Sequence, residues 1–307
     1  MALHEYLVED DEQEQLLAWL DGSRAEPVAA RGAATVLLLR EGPGGDGDIQ
    51  VFLLRRRASM AFAPLMHAFP GGGVDPRDSD TELPWIGPTP AEWGIELRCP
   101  AEQAAALVCA AARELFEECG VLLAGDAAGE VVMDVTGEEW ERDRQALLDR
   151  SVAMSELLVR RQLSLRSDLL RGWAHWTTPE FEPRRFDTWF FVAALPAGQQ
   201  ARDVGGEADR VQWLGVDQLV EGYQAGRLEM YPPTVATVAD VAAAVRDRPA
   251  GVSGVEAALA SPRRVRRVMP WLGRTPDGAV VMQVDLDGRG GGRPGPDDQR
   301  SSLEGLP

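Results

Sequence analysis

The chain has 307 residues, enough for one large domain or two smaller ones with an ample core. Its formal net charge is −18 and all 31 basic residues are arginine, an acidic balance that repels nucleic-acid phosphates and excludes non-specific DNA or RNA binding. At 45% apolar and 26% charged the composition is globular, and no run is long enough to span a bilayer, which excludes an integral membrane helix.

In chain order, residues 3–21 carry Leu7, Leu16, Leu17, Trp19 and Leu20 in an acidic background, which predicts a surface helix within an N-terminal extension over 1–32. This opening lacks the basic and apolar regions of a secretory signal, so a cytoplasmic location is expected. Residues 34–40 form a buried-strand run, 41–48 a turn, and Ile49–Leu54 the returning strand. A tight glycine loop follows at Phe69–Asp75. Residues 76–100, with prolines at 76, 84, 88, 90 and 100, read as an inserted loop. Pro100 suits the opening of a helix from Ala101 to Cys119, and Gly120 stands where a helix-ending glycine belongs. Helices are expected over 138–149 and 154–162, then Trp- and Phe-rich strands over 172–177 and 186–195. A short strand at 210–216, a helix near 217–225 and an Ala/Val-rich helix from Pro232 to about Val245 complete a domain spanning 33–250. Residues 251–287 form a C-terminal extension, where Arg267–Trp271 and Ala279–Asp285 predict a hairpin. The Gly/Pro/Asp/Ser-rich stretch 288–307 predicts a disordered tail. Strands before, between and after single helices imply an α/β sandwich with a mixed β-sheet. Cys99, Cys109 and Cys119 lack metal-ligand spacing and are expected as free thiols in a reducing compartment.

The chemistry concentrates in Arg113-Glu114-Leu115-Phe116-Glu117-Glu118-Cys119-Gly120-Val121. Glu114, Glu117 and Glu118 stand three and four residues apart, so a helix gathers them on one side. Three carboxylates make a hard oxygen-donor site suited to Mg²⁺. The string matches the core of the Nudix box, R-E-U-x-E-E-x-G-U with U aliphatic, at every specified position. From average residue frequencies, such a match arises by chance in a chain this long with a probability of about 10⁻⁴, which sets aside an ordinary solvated helix end.

The chain therefore resembles the Nudix hydrolases, which cleave a nucleoside diphosphate linked to another moiety, and the resemblance implies a Nudix-type α/β/α sandwich. In the usual box a glutamate precedes the arginine at a fixed distance. Here that place, eight residues before Arg113, holds Ala105, and the glycine loop lies far upstream at Gly71–Gly73. Glu102, one turn earlier, could reach Arg113 only indirectly. The box is thus split by an insert at 76–100. Phe69-Pro70-Gly71-Gly72, the stretch 107–123 and the stretch 175–191 together resemble the long-insert subgroup that includes organellar coenzyme A diphosphatases. Coenzyme A or an acyl derivative is the implied substrate, with ADP-ribose, a nucleotide sugar or a dinucleotide as the same-class alternative. A non-catalytic nucleotide-sensing module is the alternative from a different class.

The resemblance also implies roles. Glu114, Glu117 and Glu118, with the carbonyl of Gly72 or Gly73, would hold Mg²⁺ or Mn²⁺. Arg113 and Gly120 would be structural, Arg113 holding Glu117 in position. Glu114 or Glu117 would act as base, and a further acid would come from Glu207, with Asp209 second. Arg56 and Phe69 match part of a coenzyme A signature, whereas Ala61 and Leu65 depart from it. Arg184 and Arg185 are either surface residues or phosphate clamps. His67 and His175 read as structural hydrogen-bonding residues, Cys109 and Cys119 as packing, Trp173, Trp176, Trp189 and Trp213 as core, and the arginines of 263–267 as a solvated face. The expected partner is a small-molecule diphosphate, with no nucleic acid and no membrane, and the family allows a homodimer. The lysine-free, Ala/Gly/Arg-rich bias fits a GC-rich bacterial coding sequence rather than a physical need.

Overall fold

The computed structural model describes residues 3–7, 13–21, 26–44, 48–59, 64–205, 208–261, 264–275 and 279–286. The chain divides into two units, one of residues 1–30, 177–186 and 267–307, the other of residues 31–176 and 187–266.

The larger unit is organised around the strand Arg31–Glu41. Val36, Leu37, Leu38 and Leu39 are each at most 1% exposed, so both faces of this strand are covered, as an unbroken aliphatic run requires. Val36 and Leu38 share one core with Leu107, Val108, Leu115 and Phe116 of the helix Ala101–Cys119. Leu37 and Leu39 face the other way by the two-residue period of a strand. On that side the strand packs against the helix Gly254–Ala260, Leu39, Val255 and Leu259 lining a cleft between them, and the helices Pro232–Arg246 and Val216–Gln224 pack in succession beyond it. The result is the α/β/α sandwich expected from the sequence.

Across the main sheet the strands run in the order Ala208–Gly215, Ile49–Arg56, Arg31–Glu41, Phe186–Ala194, Leu170–Thr177. Val211 lies opposite Leu54, and Leu39 opposite Val51, in antiparallel register. Two short strands join this frame and matter for the site: His67–Ala68 puts Ala68 opposite Leu54, and Gly71–Gly73 puts Gly72 opposite Ala34. A small mixed sheet sets Trp85–Ile86 parallel to Ser164–Arg166, which is antiparallel to Ala124–Gly125. In the smaller unit, Leu3–Leu7 pairs with Val280–Asp285, which pairs in turn with Trp271–Arg274.

Four local expectations need correction. The opening stretch is not one helix: Leu3–Leu7 is a strand, and the helix runs only from Gln13 to Leu20. The apolar positions that carry a helical period, Leu16 to Leu20, all fall in its last five residues. The stretch 76–100 is not a plain loop, since it holds a 3₁₀ turn, Pro76–Ser79, and a helix, Pro90–Leu97. Thr89 Oγ1 accepts the Glu92 N–H while the Glu92 carboxylate accepts the Thr89 N–H, so Pro90 marks a helix start rather than a break. The C-terminal hairpin uses Trp271–Arg274 rather than 267–271, because Pro270 lacks the N–H a ladder needs. Finally, Gly254–Ala260 is a helix where only an extension was expected, capped by Ser253 Oγ accepting the Glu256 N–H. The tail 288–307 and the turn 276–278 lie outside the described residues. No helix among the described residues is long and apolar enough to cross a membrane.

Candidate active site

The helix Ala101–Cys119 spans the residues expected from sequence and carries the box at its C-terminal end. Gly120 closes it with φ 70°, and its N–H donates to the Phe116 carbonyl at 3.0 Å. A side chain at 120 would strain this left-handed turn, and its Cβ would fall 2.4 Å from Arg202 Nη1.

Arg113 is the centre of the site. Its Nε donates to Asp78 Oδ1 and its Nη2 to Asp78 Oδ2, both at 2.9 Å, a bidentate pair almost closed to solvent. Nη2 also donates to the Gly73 carbonyl at 2.9 Å. Nη1 donates to Glu114 Oε1 at 2.8 Å and to Glu117 Oε1 at 3.1 Å. One guanidinium therefore binds three carboxylates and the glycine strand at once. Burial alone would make Arg113 less basic, but its hydrogen bonds to Asp78 and the charge of Glu114 outweigh it and raise its pKa. Glu114 goes the other way: desolvation pushes it up to about 7 in spite of Arg113. Burial raises Glu117 too.

Asp78 is the residue the sequence argument missed. It sits in the first turn of the insert, 2% exposed, and supplies the acid sought at Ala105. Ala105 lies on the same helix as Arg113, and Glu102 is exposed and not among its partners. The usable signal was distance from the glycine loop, since Asp78 follows Gly72 by six positions. The split in the box therefore falls after Asp78.

The glycine strand approaches the helix closely. The Gly71 N–H donates to Glu118 Oε2 at 2.8 Å, and a Cβ on Gly72 would lie 2.5 Å from Glu114 Oε1. Only a bare backbone fits there. A small cleft beside this contact is lined by Arg56, Phe69, Gly71 and Glu118, with Leu54 and Ala208. The oxygen donors at hand for a cation are the carboxylates of Glu114, Glu117 and Glu118 and the Gly72 carbonyl. As placed, no three acidic, histidine or cysteine side chains among the described residues form a metal-binding group, since Arg113 Nη1 occupies the space between Glu114 and Glu117.

Other candidates fall elsewhere. Asp209 pairs with Arg55 at 2.8 Å on an edge strand. Glu207 lies outside the described residues. Arg184 is exposed and Arg185 is buried, both within the smaller unit, where Arg185 donates to the carbonyls of Thr178 and Val28. His175 stacks on Trp189 at 3.7 Å and bonds Asp187, while His67 meets the Glu229 carbonyl and burial lowers its pKa. Cys109 and Cys119 are fully packed, with thiols pushed up by burial. Trp173, Trp176 and Trp189 are core residues, and Trp213 carries Arg40 stacked on its ring at 4.2 Å.

The family described as "NUDT19 Nudix domain" matches residues 92–241. Over 227 residues the chain is 25% identical to a protein of Xenopus laevis named "Acyl-coenzyme A diphosphatase NUDT19", covering 61% of this chain and 58% of that one. It is 27% identical over 191 residues to "Putative nudix hydrolase 7" of Caenorhabditis elegans, covering 61% and 53%. The chain thus spans little more than half the length of these relatives. Among solved structures, a Nudix hydrolase from Alicyclobacillus acidocaldarius superposes with a TM-score of 0.62 at 27% identity, covering 78% of this chain and 99% of that one. With the core of the box complete on the end of a buried helix, a glycine strand laid against it and an α/β/α frame around both, the chain has the Nudix fold and is similar to the Nudix hydrolases, coenzyme A diphosphatases among them.

Proposed function

We propose that this protein hydrolyses an organic diphosphate with the help of Mg²⁺ or Mn²⁺, and that its substrate is coenzyme A or an acyl derivative. The observation that carries this reading is the acid surplus around Arg113, where one guanidinium meets the three buried carboxylates of Asp78, Glu114 and Glu117. Such a surplus favours a further cation, and the donors within reach are the hard oxygens that Mg²⁺ prefers. When bound, the metal would neutralise phosphate charge and lower the pKa of water. Glu114, Glu117, Glu118 and the Gly72 carbonyl would hold it, and Arg113 keeps two of these carboxylates in place. Arg56 and Phe69 line the cleft next to Glu118, where a phosphate and an apolar group of the substrate would lie. Glu114, held near neutrality by burial, or Glu117 would take the proton from the attacking water. Glu207 directly precedes Ala208, which lines the same cleft, and remains the candidate for a further acid. The substrate choice rests on the likeness to the acyl-coenzyme A diphosphatase of Xenopus laevis. Three free thiols, Cys109 and Cys119 buried and Cys99 half-buried, fit a reducing, cytoplasmic setting.

A substrate panel with Mg²⁺ or Mn²⁺ tests this. Release of 3′,5′-ADP from coenzyme A or acyl-coenzyme A is the expected result. Preference for ADP-ribose or a sugar nucleotide would overturn the substrate, and nucleotide binding without turnover would overturn the enzyme.

A further inference from the structure

The box helix ends on a second buried arginine that the proposed chemistry does not use. Arg144, from the helix Glu138–Leu148, is 1% exposed. Its Nη1 donates to the Glu117 carbonyl at 2.6 Å and its Nη2 to the Val204 carbonyl at 3.3 Å. The same fork grips Glu141, with Nε at 3.0 Å and Nη2 at 2.5 Å. Arg202 joins from the other side. Its main-chain N–H donates to the Cys119 carbonyl at 3.1 Å, its Nη1 to the Gly120 carbonyl at 3.4 Å, and its Nη2 to Glu141 Oε2 at 3.4 Å.

The carbonyls of Glu117 and Cys119 belong to the last turn of the box helix, where no intrahelical donor remains, and this is the negative end of its dipole. Two guanidiniums there would satisfy any helix of this kind. What distinguishes Arg144 is that it reaches two separate segments, the backbone of Glu117 and that of Val204. Packing alone would be served as well by an apolar side chain, since a buried ion pair adds little net stability over a hydrophobic one. A planar fork fixed by its own carboxylate sets geometry instead.

We infer that Arg144, held by Glu141, is a positioning residue that locks the last turn of the box helix to the Arg202–Val204 segment. It fixes the backbone of Glu117, whose carboxylate faces Arg113, relative to the stretch that leads into Ala208 and the cleft. The effect on turnover rests on the proposed hydrolysis, whereas the lock itself does not.

Glu141 offers the cleaner test, because its side chain is 42% exposed and Glu141→Gln keeps its shape without opening the core. Arg144→Lys is the companion variant, retaining charge while losing the fork. On the best diphosphate of the panel, Glu141→Gln is expected to lower kcat about tenfold, the scale of a small misplacement at a reacting centre. KM should stay within about twofold, since no substrate contact is removed. Amide exchange should rise in peptides covering 116–121 and 200–205, and not in 107–112. Unchanged exchange in both stretches would overturn the lock, and raised exchange with unchanged kcat would overturn the positioning role. Should the parent protein cleave no diphosphate, the proposed function fails by itself and the exchange pattern alone decides the lock.

Discussion

Two buried arginines serve the same helix and face opposite electrostatic conditions. Around Arg113, three carboxylates share one guanidinium, and Glu114 is pushed up to about 7. Around Glu141, two guanidiniums share one carboxylate, which is lowered to about 2, chiefly by its hydrogen bonds from Arg144. The second cluster is satisfied within the protein. The first is left with uncompensated negative charge, a condition that folding alone would select against and that binding a cation relieves. On the proposed reading, the contrast separates a site from a support, although both are built on a buried arginine.

Removing an acid from the surplus side is the strongest way to break this contrast. Glu114→Gln should lower kcat on the best diphosphate by at least about a hundredfold, the scale of losing a charge-stabilising group. An unchanged rate at saturating Mg²⁺ would remove Glu114 from the machinery. Asp78→Ala should cost about 3 kcal/mol in urea unfolding, because it leaves Arg113 buried and short of its bidentate partner. A loss below about 1 kcal/mol would mean that Glu114 and Glu117 suffice as counter-ions.

The pH response sharpens the comparison, because the two clusters have opposite signs. Glu114 is raised in the folded protein, so its contribution is complete below the unfolded carboxylate value and is lost as pH rises through about 7. Glu141 is depressed, so its contribution is present above the unfolded value and is lost as pH falls through about 2. The second effect is the smaller, since Glu141 is partly exposed and screened by solvent. Thermal midpoints recorded with a chelator should show the neutral-side fall flattened by Glu114→Gln and the acid-side fall flattened by Glu141→Gln. The reverse pattern would refute both assignments. Smallest of all, Thr89→Ala should cost about 1 kcal/mol by removing the cap of the insert helix. A larger loss accompanied by loss of turnover would tie that helix to the site.

The box helix was legible because local signals agree along it: Pro100 before, Gly120 after, an apolar period between and the charged string at its end. The sandwich was legible for a similar reason, since Val36–Leu39 can only be a strand covered on both faces. Asp78 was not, because its pairing with Arg113 crosses the insert and no spacing within the helix announces it. Arg144 and Arg202 were less legible still. In Glu138-Glu139-Trp140-Glu141-Arg142-Asp143-Arg144 an arginine reads as a solvated partner for its neighbours, and only tertiary packing decides that Arg144 is buried while Glu141 is not. The strand Leu3–Leu7 owes its form to a partner nearly three hundred residues away, Leu3 lying opposite Asp285.

The Asp78–Arg113 pair also closes a loop of 35 positions, whose helix is anchored a second time by Trp93 and Leu97, buried in the same core as the box helix. The entropy of closing such a loop grows only with the logarithm of its length, so doubling it would add about 0.6 kcal/mol. That allowance applies to the exposed turn at Thr81 and Glu82, whereas the insert helix is held in the core by Trp93 and Leu97. Added length is therefore accommodated at that turn, between two anchors, without disturbing the box.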